Sequence, residues 1–282
     1  DAHGLRDVVE RIDLVVGVSD VTERLGLRQR QGRRVGQRCP AVGDGDRVGE
    51  MRAVVDQREL AEGLAGVPGL AVETPQTNIV FADADLEAAA AAAPGAVFDN
   101  SGQDCCARSR VLVQREVFDR FVELFAAATA AWKVGDPTDP ATAMGPLVTQ
   151  QHLAKVRSYT EPLTDAEVLF RGEAPTGKGW WHPAMIVRAD AGSPVCTDEI
   201  FGPVLTVVRV SSYDEGVKLI NDNQYGNGTA IFTRDGGVAR QFQFDINVGM
   251  VGINVPIPVP VSYYSFGGWK ASLFGDQHMY GP

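Results

Sequence analysis

Pro203–Val210, PVLTVVRV, is an apolar run broken only by Thr206 and Arg209. It lacks the alternation of a strand with one wet face, so it reads as a β-strand covered on both sides. Such a strand belongs inside a sheet flanked by helices, usually a parallel one. The neighbouring segments agree. NIVF (78–81) is a short buried strand, and ADADLEAAAAAA after it starts an alanine-rich helix at an aspartate. RVLVQ (110–114) is a strand. In REVFDRFVELFAAATAAW (115–132), Val117, Phe118, Phe121, Val122 and Phe125 share one helical face, opposite Asp119, Arg120 and Glu123. VGDPTDPATAMGPLV (134–148) is a Pro/Gly loop. A helix over 150–159 and a strand EVLFRG (167–172) follow. Ser212 and Glu215 form a capping box for a helix reaching Ile220. NGTAIFT (227–233), GGVARQFQFDI (236–246) and GMVGINV (249–255) read strand, helix, strand. This alternation predicts an α/β fold with a mostly parallel sheet. The tail VPIPVPVSYYSFGGWKASLFGD is a Pro/Gly-rich loop whose aromatics are expected to pack it down.

Residues 1–77 have another character. No Phe, Trp or Tyr precedes Phe81, and no Lys precedes Lys133. A chain without aromatics gives up large buried areas; a short helix around Arg58–Leu64 is the single element expected there. The 282 residues suit one large or two modest domains. The net charge of -10 argues against nucleic acid or an anionic membrane as a main partner. No run approaches the length of a membrane span, and the first residues lack the basic and apolar regions of a secretory signal. Cys39, Cys105, Cys106 and Cys196 show no C-x-x-C spacing, which argues against a zinc framework, so no metal is expected. Free thiols in a reducing, cytoplasmic compartment are the expectation.

NSGQDCCARSR (100–110) sets two cysteines side by side. A cysteine ahead of a tight turn or helix start meets backbone N–H groups. These lower the thiol pKa and can hold an oxyanion. Gly102 permits a close backbone approach. By composition alone the residue types favour a second reading: two small buried hydrophobes. Nothing local marks His3, His152, His182 or His278 as a cysteine's base, and His182 in WWHP reads as a strand edge.

FDNSGQDCCARSRVLVQ resembles the active-site segment of the aldehyde dehydrogenase superfamily, with Phe98, Asn100, Gly102, Gln103, Cys105 and Ala107 in register. DEIFGPVLTVV resembles that family's E-I-F-G-P block. MVGINV and SFGGWKAS resemble its I-N and P-F-G-G-x-K-x-S blocks, with Ser265 where proline is usual. The likeness runs in order over 78–281, and residues 1 to about 70 lack it. It implies NAD(P)-dependent oxidation of a small aldehyde to an acid or acyl-CoA. Cys105 is then the nucleophile, forming a thiohemiacetal and, after hydride loss to NAD or NADP, a thioester. Water or coenzyme A resolves it. Glu199 matches the residue holding the nicotinamide ribose and Phe201 the aromatic beside it; the plainer alternatives are a turn charge and a core ring. The backbone N–H of Cys105 is expected in the oxyanion site, and the family is homo-oligomeric.

Two parts of the likeness diverge. The end of the chain is most similar to the CoA-acylating methylmalonate-semialdehyde dehydrogenase branch, while NSGQDCCARSRVLVQ is nearer the hydrolytic branches. A divergent enzyme, a recombined gene and an assembly artefact all give that pattern. Where the family carries E-L-G-G-K, with its general-base glutamate, this chain has AVETPQT (71–77). Ala71 takes the glutamate's place and Glu73 is displaced by two, so neither is assigned as base. No G-x-G-x-x-G loop occurs before residue 70, and the chain stops at MYGP. The expectation is an atypical leader over 1–77 and a catalytic domain over 78–282, truncated at both ends and lacking most of the dinucleotide-binding domain. A catalytically deficient fragment or pseudoenzyme, and a thiol esterase, are the alternatives.

Overall fold

A computed structural model describes residues 76–256, 263–272 and 278. The expected helix at Arg58–Leu64, together with Ala71 and Glu73, lies outside them. The central element is a seven-stranded sheet in the order β3-β4-β5-β2-β1-β7-β8. Its strands are β1 (Thr77–Val80), β2 (Arg110–Gln114), β3 (Ala166–Arg171), β4 (Met185–Ala189), β5 (Val204–Val210), β7 (Gly228–Phe232) and β8 (Met250–Ile253). Every neighbouring pair is parallel except β3–β4. A small antiparallel ribbon joins β6 (Tyr225–Gly226) to β9 (Trp269–Lys270).

The doubly covered strand is where the apolar run placed it. In β5 every residue but Arg209 is buried. Its period of two divides the core into two layers. Leu205 and Val207 join Val80, Val111, Val113 and Phe232 beneath α1 (Leu86–Phe98) and α2 (Phe118–Ala130). Val208 and Val210 join Ile79, Leu112 and Ile231 on the other face, against Ile220 of α5 (Tyr213–Asn221) and Phe242 of α6 (Gly236–Asp245). A third apolar cluster links β4 to Leu153 and Val156 of α3 (Gln150–Thr160) and to Val195 of the short α4 (Pro194–Thr197).

The caps follow the side chains. Asp85 accepts from Ala88 N at 3.1 Å and starts α1. The helix continues through Pro94, whose missing N–H removes one intrahelical bond. Burial of Ala89, Ala90, Ala93, Val97 and Phe98 against α2 and the sheet offsets that loss. On α2, Phe118, Phe121 and Phe125 are buried; Val122 is half-buried and Val117 falls in a 3-10 turn ahead of the helix. Ser212 accepts from Glu215 N at 3.2 Å. The Glu215 carboxylate reaches Ser211 N at 2.7 Å, one residue before the usual capping-box partner.

Two expectations need correction. MIVRA (185–189) is an interior strand absent from the pattern reading, although Pro183 precedes it and Asp190, Gly192, Ser193 and Pro194 follow it. In the tail, Phe266 packs down, but Tyr263, Tyr264 and Trp269 are exposed.

Candidate active site

The segment leading to the cysteines leaves α1 through a reversed turn. Asn100 (φ 50°), Ser101 (φ 59°) and Gly102 (φ 72°) are three consecutive left-handed residues, a conformation that costs L-residues unless the surroundings hold it. The turn is held from several sides. Asn100 Nδ2 donates to Gln103 O at 2.8 Å, and Gln103 N donates to Asn100 O at 3.1 Å. Ser101 Oγ donates to Gly145 O at 2.7 Å, and Gln103 Oε1 accepts from Val148 N at 2.9 Å. A Cβ on Gly102 would lie 2.2 Å from Gly202 O. That near-contact joins the cysteine loop to the E-I-F-G-P block, 100 residues away in the chain.

Across this contact, Phe201 takes φ 57°. Its carbonyl lies 2.6 Å from His152 Nε2, and its ring meets the imidazole edge-on at 6.3 Å. Asn100, Gln103, Val148, His152 and Phe201 line an open cleft of about 350 Å³. Glu199 is half-buried two residues upstream, with its carbonyl accepting from Lys155 Nζ at 2.8 Å. Phe201 and the residues just before the cysteines therefore share one cleft, and Glu199 is carried on the same pinned segment. The plainer reading of Phe201 as a core ring does not match its half-exposed position in that cleft.

The two thiols differ. Cys105 is exposed and Cys106 is buried, with 3.8 Å between their sulfurs. Cys106 packs in the core beneath α1 and α2, as a small hydrophobe does. The Cys105 carbonyl accepts from Gln76 Nε2 at 2.7 Å. Cys106 N donates to Asp104 Oδ1 at 2.9 Å, and Ala107 N to Asp104 O at 2.9 Å. The expected lowering of the Cys105 pKa is reversed. Desolvation of the sulfur, then the neighbouring Cys106 and Asp104, push it up to about 12. Desolvation is the largest of these effects, and the two neighbouring side chains add to it.

Gln76 is a site residue that sequence reading missed. It is buried, donates to Cys105 O and, through its own carbonyl, accepts from Arg110 N at 3.2 Å. Its Oε1 is buried without a partner. The only signal was its place immediately before the first strand. His182 is no strand edge. It is buried in a loop, with Nε2 3.1 Å from Thr160 Oγ1 and Nδ1 2.8 Å from Pro183 O. Burial pushes its pKa down to about 4, which marks a neutral structural imidazole.

The third block anchors elsewhere on the sheet. Lys270 Nζ donates to Asn221 O at 2.9 Å and Asn223 O at 3.1 Å, and Ser272 Oγ accepts from Gly226 N at 2.9 Å. Asn254, of the I-N pair, accepts from Thr233 N at 2.9 Å and donates to Thr233 O at 2.8 Å.

An exposed cysteine on a reversed turn, packed against a Phe-Gly-Pro segment at one edge of a mostly parallel α/β sheet, has the parts of a thiol-dependent enzyme site. The family model for the aldehyde dehydrogenase family matches residues 69–281, and the chain belongs to that family. It is 45% identical over 212 residues to the malonate-semialdehyde dehydrogenase of Pseudomonas aeruginosa, covering 72% of this chain and 43% of that protein. The methylmalonate-semialdehyde dehydrogenase DddC of Oceanimonas doudoroffii superposes with a TM-score of 0.71 at 40% identity, over 74% of this chain and 44% of that one. The betaine aldehyde dehydrogenase of Staphylococcus aureus, solved with NAD+, gives 0.68 at 30% identity, over 73% and 42%. The chain thus spans less than half the length of the relatives it matches. Among the described residues no helix is long and apolar enough to cross a membrane.

Proposed function

We propose that the segment matched by the family model, residues 69–281, which includes Gln76 and the first strand, forms the nucleophile-bearing catalytic domain of an NAD(P)-dependent semialdehyde dehydrogenase. The observation that carries this reading is the contact of Gly102 with Gly202 O. It joins the two motif loops and leaves Cys105 exposed beside them. In this reading Cys105 Sγ bonds to the aldehyde carbonyl carbon, the thiol proton leaves, and the carbonyl oxygen takes the negative charge. Gln76 orients the Cys105 peptide through its carbonyl. Bound NAD or NADP would supply the hydride acceptor. The cleft lined by Phe201, His152 and two amides, with the Glu199 carboxylate nearby in sequence, has the mixed aromatic and polar character that such a ring requires. Glu199 and Phe201 are the residues assigned to hold it. The Cys105 thioester that remains is released by water or by coenzyme A, and the similarity to malonate- and methylmalonate-semialdehyde dehydrogenases supports a short carboxylated aldehyde as substrate. A homo-oligomer is part of the same reading.

The test is NADH formation by the full chain with NAD+, coenzyme A and malonate or methylmalonate semialdehyde. Turnover lost in Cys105→Ser and kept in Cys106→Ser is expected; equal loss in both would refute the choice of nucleophile. A second reading, a family member that does not turn over, is favoured by the upward push that desolvation, Cys106 and Asp104 give the Cys105 thiol, which makes its thiolate scarcer than an ordinary cysteine's. Under it, NADH formation is absent, and p-nitrophenyl ester cleavage sensitive to Cys105→Ser separates a residual thiol esterase from an inert chain.

A further inference from the structure

Asp104, Cys105 and Cys106 occupy one turn, and a carboxylate oxygen and two sulfurs there lie within 4.8 Å of one another. The sulfurs are 3.8 Å apart. Tetrahedral zinc with Zn–S bonds of about 2.3 Å sets two thiolates roughly 3.8 Å apart. The pair therefore already stands at the edge length of a zinc tetrahedron, and an Asp104 carboxylate oxygen within 4.8 Å of the sulfurs is near enough to take a third corner on side-chain adjustment. We propose that this turn binds a single thiophilic divalent cation, Zn2+ or Cd2+, through Asp104, Cys105 and Cys106, with solvent at the fourth position. The absence of C-x-x-C spacing excluded a closed structural zinc framework, and an open three-ligand site is a different object.

The turn's main chain is braced before any metal arrives. Ala107 N bonds Asp104 O, Gln76 Nε2 bonds Cys105 O, and Arg108 N bonds Ala96 O at 3.0 Å. Asp104 and Cys105 are exposed, so the cation enters from their side and meets Cys106 from above the core. The negative neighbours that resist ionisation of Cys105 favour a cation in its place. On binding, two S–H bonds break and both protons pass to solvent. Two metal–sulfur bonds and one metal–oxygen bond form, and nothing is oxidised or reduced. The complex carries one net negative charge, and the half-buried Arg108 guanidinium, already interacting with Cys106 and Asp104, balances it. Occupancy withdraws the Cys105 sulfur from reaction.

Binding itself does not depend on Cys105 being the nucleophile, and its test needs no turnover. The reduced full chain, stripped with a chelator, is titrated with Cd2+ while the ultraviolet thiolate-to-cadmium band is followed. Zn2+ is then used to displace it, and iodoacetamide labelling of Cys105 is read by mass spectrometry with and without Zn2+. One equivalent per chain, protection of Cys105 and release of two protons are expected. Cys106→Ser is expected to weaken binding by more than roughly 100-fold and Asp104→Asn by roughly 10-fold, above and within the range for an outer-shell partner. Cys39→Ala and Cys196→Ala leave it unchanged. Absence of the band, its survival in Cys106→Ser, unchanged affinity in Asp104→Asn, or its loss in Cys39→Ala or Cys196→Ala overturns the proposal. The exposed Asp104→Asn change keeps the test decisive if Cys106→Ser fails to fold.

Discussion

The two ends of the parallel strands treat negative charge in opposite ways. At the carboxyl ends of β1 and β7, Asp83 Oδ2 accepts from Thr233 Oγ1 at 2.7 Å, Arg234 N at 2.8 Å and Asp235 N at 2.9 Å. Partial burial works against this carboxylate, but those donors outweigh it and hold its pKa below the usual value. At the amino ends, the loop before β2 desolvates the Cys105 sulfur, sets Cys106 and Asp104 beside it, and so pushes its pKa up. Open α/β sheets usually place ligands at the carboxyl ends of their strands. Here the loops before β2 and β5 carry the cysteine and the Glu-Ile-Phe-Gly-Pro block, and Gln76 precedes β1. The carboxyl end is closed by a clamp that satisfies an anion. The amino end keeps an unionised, reachable sulfur, so stability and chemistry occupy opposite edges of one sheet.

The contrast can be broken most strongly through the thiol. With a pKa of about 12, Cys105 alkylation by iodoacetamide should rise about tenfold per pH unit from 7 to 10 without a plateau. A plateau below pH 9 would remove the electrostatic difference between the two edges. Next is Gly102→Ala, which sets a methyl 2.2 Å from Gly202 O at a φ of 72°. A loss of roughly 3 kcal/mol or more in urea unfolding is expected, with Cys105 labelling no longer graded by pH as in the parent. At the opposite edge, Asp83→Asn should cost about 1 kcal/mol after solvent screening. Because the folded pKa of Asp83 is lowered, its contribution is present above its unfolded pKa and is lost as pH falls through the folded one. The difference in melting temperature between parent and variant should therefore shrink in acid. The smallest effect is expected for Lys270→Met. It removes the ammonium from the Asn221 and Asn223 carbonyls behind α5, and a loss of about 0.5 kcal/mol is expected in the same unfolding assay.

Much of the scaffold was legible in the sequence, because periodicity reports burial and burial decides these elements. RVLVQ is the strand β2 residue for residue, and the run ending at Val210 is the doubly covered β5. The strand at 185–189 carries the same apolar signal between Pro183 and the Asp-Ala-Gly-Ser-Pro run at 190–194, so it too was legible. The site was half legible. Residue types allowed a nucleophile among the two cysteines, and the block resemblance pointed to Cys105, Glu199 and Phe201. The direction of the thiol's pKa was not readable, because it depends first on how far the fold desolvates the sulfur and then on where Cys106 and Asp104 turn their side chains. Gln76 was invisible for a similar reason: its role comes from a contact across 29 positions. The partners of Lys270 and Asn254 are equally non-local, so their motifs were visible and their work was not.

The meeting of Gly102 and Gly202 has a genetic consequence that differs for the two glycines. An added methyl at position 202 would strike the Val156 side chain, its Cγ2 at 2.6 Å. A second-site change such as Val156→Ala can make room, and revertants of Gly202→Ala should map there. An added methyl at position 102 strikes a main-chain carbonyl, an atom that every amino acid brings to position 202. No codon at 202 removes that oxygen, so suppressors of Gly102→Ala should not arise at the position it touches.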